Sequence, residues 1–321
     1  MRCDRVRRAR PLLGTLVEIS VAGSAEEDLH EAASRAFALI GRIHELMSAH
    51  STESDVFRIN NAPVRHVVTV DESTWHVLEL AKDIADASDG VFDITIGGAM
   101  RSHGALPALT DRTPAPGATF RDIELLPGNR VQAHRVLAID LGGIAKGYAV
   151  DAAVEILNRS GVPAGCVNAG GDLRVFGDQI TTVQVRDPLE PSMARAQLQL
   201  RDCALATSGN YAPDGGFSSA GVVLDPRCGE IAGTGRSASV RASRCAVADA
   251  LAKCVVMLGD ASTALLARYR ADGFLLDGPV QRLLGGGAAV DHHNRSADET
   301  QAESARRYSG RGQFEAGAVN Q

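Results

Sequence analysis

The chain has 321 residues, enough for one large domain or two small ones with a substantial core. A formal charge of -6 and an aromatic content of 4% argue against a general nucleic-acid binder, which would carry a basic surplus and stacking side chains. Hydrophobic residues at 45% and charged residues at 22% are ordinary for a globular protein that handles a small molecule or another protein.

Arg2, Arg5, Arg7, Arg8 and Arg10 imitate the start of a signal peptide. The apolar run that should follow is broken by Pro11, Gly14 and Glu18 and alternates like a strand. No segment reaches the length of a membrane span. Six cysteines (Cys3, Cys166, Cys203, Cys228, Cys245 and Cys254) form no C-x-x-C pair and read as reduced. The expected location is the cytoplasm, the alternative being a misassigned start that hides an export signal.

Thr15 to Val21 alternates as a strand. Ser24 with Glu27 predicts a capping box, followed by a helix with Leu29, Ala33, Phe37, Ile40, Ile43 and Met47 on one face. Ser54 predicts the cap of a short helix through Val56, Phe57 and Ile59. A long helix from Asp71 carries Trp75, Leu78, Ala81 and Ile84 and stops at Ser88-Asp89-Gly90. Residues 101–121 read as a loop, and strands flank Pro127-Gly128-Asn129. Ala138 to Leu141 reads as a short apolar strand, and Val150 to Leu157 as a helix ended by Gly161 and Pro163. A short strand follows at Cys166-Val167-Asn168, then strands and turns from Leu173 to Val240. Helices return at Cys245 to Leu258 and Ala261 to Tyr269, with Phe274 to Leu276 as the last strand. Residues 286–321 read as a disordered tail after a domain spanning 1–285. Helices alternating with antiparallel-looking strand blocks predict an α+β fold, not a doubly wound one.

The strongest chemical signal runs from Ala138 to Asp151, through Asp140, Gly142-Gly143 and Lys146. A glycine turn leading into a helix gathers backbone N–H groups at a helix N-terminus, which is how proteins hold pyrophosphates. No G-x-x-x-x-G-K-[ST] runs through it, so it is not the common P-loop. A plain strand-to-helix connection with a solvated lysine is the competing reading, and the stretch alone leaves both open. Asn168-Ala169-Gly170-Gly171-Asp172 reads first as a hairpin turn; Thr207-Ser208-Gly209-Asn210-Tyr211 offers hydroxyls or simply another turn. Gly233-Thr234-Gly235-Arg236-Ser237-Ala238 matches G-x-G-x-x-A, yet strand-like Ser239-Val240-Arg241 follows where a helix is required. No G-x-S-x-G elbow supports Ser-His-Asp catalysis, and His292 and His293 lack a cysteine pair for zinc. Asp249 and Lys253 sit four apart on a helix, where an exposed pair would be worth only about 0.3 kcal/mol. Their neighbours Ala248, Ala250, Leu251, Ala252, Cys254, Val255 and Val256 are apolar, so the helix is buried and its two charges need partners.

Eight blocks stand in order: Gly14-Thr15; Met47-Ser48 with Ser54-Asp55 and Asn60; Ser88 to Asp93; Asp140 to Tyr148; Asn168 to Asp172; Ala206 to Tyr211; Asp225-Pro226-Arg227; Ala248 to Leu251. In that order they resemble the FAD:protein FMN transferase (ApbE) family, over about residues 12–280. The resemblance implies a duplicated, T-fold-like α+β fold with antiparallel sheets packed on helices and FAD between the halves. It implies transfer of FMN from FAD to a Thr or Ser hydroxyl of an acceptor protein, releasing AMP and using magnesium. By resemblance Leu13, Val91, Phe92, Asp93, Asp140, Lys146, Gly170, Gly171, Ser208 and Val222 face FAD. Gly143, through its carbonyl, and Asp249 would hold Mg2+, and Asp249 with Lys253 would carry catalysis.

The chain departs from the family in three places. Lys253 stands where most members have a metal-binding threonine, Cys228 stands for a threonine, and the histidine before Asp225-Pro226, near Val222, is missing. No histidine occurs from residue 135 to 291. The Lys253 ammonium is therefore read as replacing part of the metal's charge beside the pyrophosphate. The alternatives are a non-catalytic FAD carrier and an FAD pyrophosphatase that uses water as acceptor.

Overall fold

The computed structural model describes residues 4–190, 192–210, 222–233 and 235–285. Strands β1 (Asp4–Leu12) and β2 (Thr15–Gly23) pair from Asp4↔Gly23 to Leu12↔Thr15, leaving only Leu13 and Gly14 for the turn. Both adopt positive φ, 56° and 69°, as the primed hairpin turns require. Helix α1 (Glu26–Met47) buries Leu29, Ala33, Phe37, Ile40, Ile43 and Met47, the expected face. Its capping box does not form. Ala25 is the N-cap with no side-chain bond, and Glu26, Glu27 and Asp28 instead place negative charge at the positive end of the helix.

Helix α2 (Asp55–Asn61) starts as expected, with Ser54 Oγ accepting from the Phe57 N–H at 3.0 Å. After the short strand β3 (Val67–Thr69), α3 (Glu72–Ala87) is capped by Asp71 and ends where Asp89 and Gly90 turn to φ 49° and 76°. Helix α4 (Gly97–Ser102) runs into the region read as a loop. Strands β4 (Ile123–Leu126) and β5 (Arg130–Ala133) join β3 in a small sheet, in the order β3-β5-β4.

Ala138 to Leu141 is extended but belongs to no ladder. Its backbone is satisfied otherwise: Asn60 bonds both the N–H (2.7 Å) and the carbonyl (2.9 Å) of Ile139, the Gly97 N–H donates to the Ala138 carbonyl, and the Asp140 N–H donates to Ile94. An apolar run with its polar backbone met by side chain and loop needs no strand partner.

Helix α5 (Ala145–Arg159) begins earlier than its apolar periodicity indicated. Next come β6 (Ala164–Ala169), β7 (Asp172–Phe176), the hairpin β8 (Ile180–Arg186) and β9 (Ala194–Arg201), β10 (Ala204–Gly209) and β11 (Arg236–Ala242). The chain continues through α6 (Cys245–Leu258), a 3-10 turn over Gly259–Ser262, α7 (Thr263–Arg268), β12 (Asp272–Asp277) and β13 (Val280–Leu284). The last strand of the sequence reading is thus followed by one more, and the expected tail lies outside the described residues.

Eight strands form one sheet in the order β1-β2-β6-β7-β10-β11-β12-β13, antiparallel throughout. The order shows the expected duplication. Hairpin β1–β2, a helical connection and hairpin β6–β7 make one unit; β10–β11, a helical connection and β12–β13 make the other. The β7–β10 pair joins them. Helices α1, α5 and α6 cover one face and build the main core with Val17, Ile19, Val21, Ala206, Ala238 and Val240. On the other face β8–β9 covers Leu173, Val175 and Leu205 with Leu200. Cys245–Arg268 is apolar and long enough to cross a membrane by composition. From Cys245 to Val256, however, every residue except Lys253 is buried, as in the core helix of a globular protein.

Helices α5 and α6 meet closely. A Cβ built on Gly147 would lie 2.4 Å from the Cys245 carbonyl oxygen, so only glycine admits this approach. Across the contact, buried Asp151 of α5 accepts from the N–H groups of Cys245 (2.9 Å) and Ala246 (3.0 Å), capping a helix that has no cap of its own. Arg174 on β7 balances that carboxylate at 2.9 Å.

Replacing Asp151 by alanine orphans two buried N–H groups and the Arg174 charge. The expected cost is about 3 kcal/mol of unfolding free energy in urea denaturation, with Asp151→Asn costing less because one oxygen still accepts. A loss below about 0.5 kcal/mol would show the cap to be idle.

Candidate functional site

The elements converge at one end of the large sheet. In β7 the alternation that turns Leu173 and Val175 outward turns Asp172 and Arg174 towards the helices, and in β10 Ser208 faces the helices with Ala204 and Ala206. Lys146, in the first turn of α5, places its ammonium 2.5 Å from Asp172 Oδ2 and 3.6 Å from Asp249 Oδ2. Asp249 is fully buried; its Oδ2 accepts the Gly147 N–H at 3.1 Å and its Oδ1 takes the Lys253 ammonium at 2.5 Å. Lys253 also donates to the Asp249 carbonyl (3.0 Å) and to Ser208 Oγ (3.3 Å). Two carboxylates and two ammonium groups thus alternate from Asp172 to Lys253.

Burial alone would push the Asp249 carboxyl up, but Lys146, Lys253 and the Gly147 N–H override it and hold the group below the usual carboxylate range. Two ammonium groups within 4 Å and a backbone donor together outweigh the cost of burial. Burial likewise pulls Lys146 down, and Asp172 and Asp249 reverse it, so the lysine stays charged. At Asp172 burial prevails and the carboxyl is raised, with Lys146 opposing.

Asp140 lies just before the turn; its Oδ1 accepts the Gly142 N–H at 3.1 Å, and burial raises its carboxyl against the pull of that bond, His50, Lys253 and Lys146. Gly143 packs between Phe92 and Lys253, since a Cβ there would lie 3.2 Å from the Phe92 ring and 3.2 Å from Lys253 Cε. Val91 and Phe92 are buried, and Phe92 donates its N–H to Ser88 Oγ. Asp93 is already engaged on both oxygens: Oδ1 accepts from the Thr95 N–H and hydroxyl, and Oδ2 from the Phe120 N–H. Its observed bonds hold the chain after α3.

Gly170 and Gly171 are the two-residue turn of the β6–β7 hairpin, with φ 66° and 106°, so the turn reading of that block holds. The turn touches the first hairpin: a Cβ on Gly170 would meet Thr15 Oγ1 at 2.4 Å. Leu13, in that first turn, donates its N–H to His44 Nδ1 at 3.4 Å. Val222 precedes Val223, whose N–H and carbonyl are both bonded by the Asn210 side chain at the end of β10. Asp225 is clamped by both arms of Arg227, which hold its carboxyl below the usual range. The nearby Gly229 carbonyl accepts from His103 Nε2 at 2.9 Å. Tyr211 lies outside the described residues.

The structure therefore brings together Asp140, Gly143, Lys146, Phe92, Ser208, Asp249 and Lys253, with Gly170 and Gly171 at the head of the strand that carries Asp172. Sequence reasoning passed over Asp172 as a site residue. The available signal was compositional: the chain has only three lysines, Lys82, Lys146 and Lys253, beside thirty arginines, so two at one site call for carboxylate partners. A separate cavity lined by Val56, Phe57, Asn60, Arg101, Leu109 and Thr110 runs along Ala138 and Ile139 rather than over the charged cluster.

Comparison with known proteins agrees with this architecture. The model of the ApbE family matches residues 13–274. A FAD:protein FMN transferase of Treponema pallidum is 29% identical over 320 residues, covering 88% of this chain and 87% of its own. One from Rhodobacter capsulatus is 28% identical over 78% of this chain and 50% of its own. The crystal structure of the ApbE protein of Thermotoga maritima superposes with a TM-score of 0.75 at 27% identity, over 87% of this chain and 96% of that one. The flavin transferase ApbE of Vibrio cholerae shares the fold, with a TM-score of 0.75 at 22% identity, over 88% and 98%.

Lys146→Met leaves Asp172 and Asp249 facing each other without the cation between them. The expected loss at pH 7 is about 3–5 kcal/mol in chemical denaturation. The sign with pH follows from the charges. In the native chain the depressed Asp249 carboxyl contributes stability above the ordinary carboxylate range and loses it as pH falls. In the variant the facing carboxylates have raised pKa values, so stability is lost as pH rises. The gap between the two proteins narrows from pH 8 to pH 5; a constant gap would disprove the coupling.

Proposed function

The chain belongs to the ApbE family, and on that premise we propose that it transfers the FMN half of FAD to a threonine or serine hydroxyl of an acceptor protein. The acceptor oxygen attacks the FMN-side phosphorus, the bond from that phosphorus to the bridging oxygen breaks, AMP leaves with the bridging oxygen, and the hydroxyl proton passes to solvent. Such a reaction asks a protein mainly for positioning and for charge placed around the phosphates.

The observation that carries this reading is the Asp172–Lys146–Asp249–Lys253 cluster beneath the glycine turn that opens α5. In it, Lys146, held by Asp172, and Lys253, held by Asp249, supply fixed positive charge for the pyrophosphate at the positive end of α5. Leu13, Val91, Phe92 and Val222 supply apolar surface for the flavin, Asp140 steadies the turn, and Ser208 offers a hydroxyl. The scattered cysteines support cytoplasmic residence.

The magnesium expected from the resemblance would rest on the Gly143 carbonyl and Asp249. Their surroundings do not fit it, because the Lys253 stem packs against Gly143 and its ammonium takes Asp249 Oδ1, and no step is routed through a metal. The lack of histidine from 135 to 291 favours a FAD carrier as the second reading.

Incubation with FAD, with and without a purified acceptor protein, separates these readings. Covalent flavin on the acceptor, with AMP released, is the expected outcome. Free FMN and AMP would mean hydrolysis, unchanged bound FAD would mean a carrier, and failure to bind FAD would overturn the whole reading. Asp249→Asn, which removes the charge that holds Lys253, is expected to lower transfer by about 100-fold.

A further inference from the structure

We propose that the Lys253 ammonium is the resident cation of this site, so that the chain binds and cleaves FAD without a divalent metal. The inference rests on the flavin-transfer reading above and narrows it.

Space is the first reason. The aliphatic stem of Lys253 passes beside Gly143, with Cε and Cδ 3.2 and 3.3 Å from where a Cβ would stand, and its Nζ sits 2.5 Å from Asp249 Oδ1. The lysine thus lies against both Gly143 and Asp249, the two residues expected to hold the metal. The donor set is the second reason. Magnesium requires near-octahedral oxygens at about 2.0–2.1 Å. Here Asp249 Oδ1 is taken by Lys253 and Oδ2 by the Gly147 N–H, with Lys146 at 3.6 Å, and Asp172 is taken by Lys146 at 2.5 Å. Among the described residues no three His, Cys, Asp or Glu side chains gather as a metal set. Charge is the third. Two ammonium groups already lie within 4 Å of Asp249, and a divalent ion would have to displace at least one.

The lysine is also placed to do a cation's work. An ammonium has three donors, and Lys253 spends them on Asp249 Oδ1, the Asp249 carbonyl and Ser208 Oγ. The bond to Ser208 is the longest, at 3.3 Å, and 20% of the Lys253 side chain remains exposed, so a phosphate oxygen of FAD can replace the serine. The two bonds to Asp249 stay in place and keep the charge aimed.

The test pairs flavin binding with direct metal binding on the full-length protein. FAD fluorescence titrations in EDTA and in Mg2+ are expected to agree within about threefold. Equilibrium dialysis against Mn2+, with and without FAD, is expected to leave no stoichiometric metal on the chain. Lys253→Met is expected to weaken FAD binding in EDTA by at least about tenfold; if that variant does not fold, the native-protein arms decide alone. One Mn2+ per chain, lost in Asp249→Asn, would overturn the proposal, as would flavin binding or transfer abolished by EDTA and restored by Mg2+. Failure to bind FAD in either buffer would instead sink the flavin reading, while the Mn2+ dialysis still decides whether lysine holds the cation's place.

Discussion

The buried carboxylate of Asp249 is the constraint around which the rest is arranged. A charge with no exposure to water survives only if neighbours meet both oxygens, and they come from the first turn of α5 and from its own helix one turn on. The Gly147 N–H reaches it because residue 147 has no side chain to hold the helices apart. The same contact is used in reverse by Asp151, which caps α6 from α5. Each helix thus lends a carboxylate to the N-terminal N–H groups of the other. Both exchanges suit the helix dipole, and both are stronger for lying away from water.

This exchange explains why the charged cluster sits where the two halves of the sheet meet. The first unit supplies Lys146 and Asp172, and the second supplies Ser208, Asp249 and Lys253. The strand pair β7–β10 is the only described ladder between the units, and Asp172 and Ser208 lie at the same end of it on the helix side. Neither half alone closes the chain of charges. At this seam the first turn of α5, the buried carboxylate of α6 and the ends of β7 and β10 meet.

Much of this was legible in the sequence. The apolar face of α1, the cap Ser54, the start of α3 near Asp71, and the turn at Asp89-Gly90 follow from local rules and stand in the structure. So does the argument that Asp249 and Lys253, on so apolar a helix, must have partners. What was hidden depends on contacts distant along the chain. Ala138 to Leu141 looked like a strand because apolar periodicity cannot reveal that Asn60, 79 residues away, satisfies Ile139. Strand β13 was missed because most of its residues are exposed and give no alternation. Asp172 looked like part of a hairpin, which it is; that it also pairs with Lys146 depends on which face of β7 meets α5. The Ser24–Glu27 box does not form because the helix starts one residue later, with Ala25 as N-cap, which puts Ser24 outside it and Glu27 at the second helical position.

The choice of lysine at position 253 follows from the same geometry. This chain uses arginine for nearly all its cations, so its two lysines at one site reflect a need that arginine does not meet. A guanidinium is a broad planar fork suited to gripping both oxygens of a carboxylate, as Arg227 does on Asp225. The Lys253 stem lies close against Gly143, with Cε 3.2 Å from where a Cβ would stand, and its compact charge meets Asp249. The four-residue spacing on α6 then lets the ammonium fold back onto both the side chain and the carbonyl of Asp249. A compact ammonium on a four-carbon stem makes this fold-back without the width of a guanidinium plane, and it leaves a single positive point fixed beside Ser208.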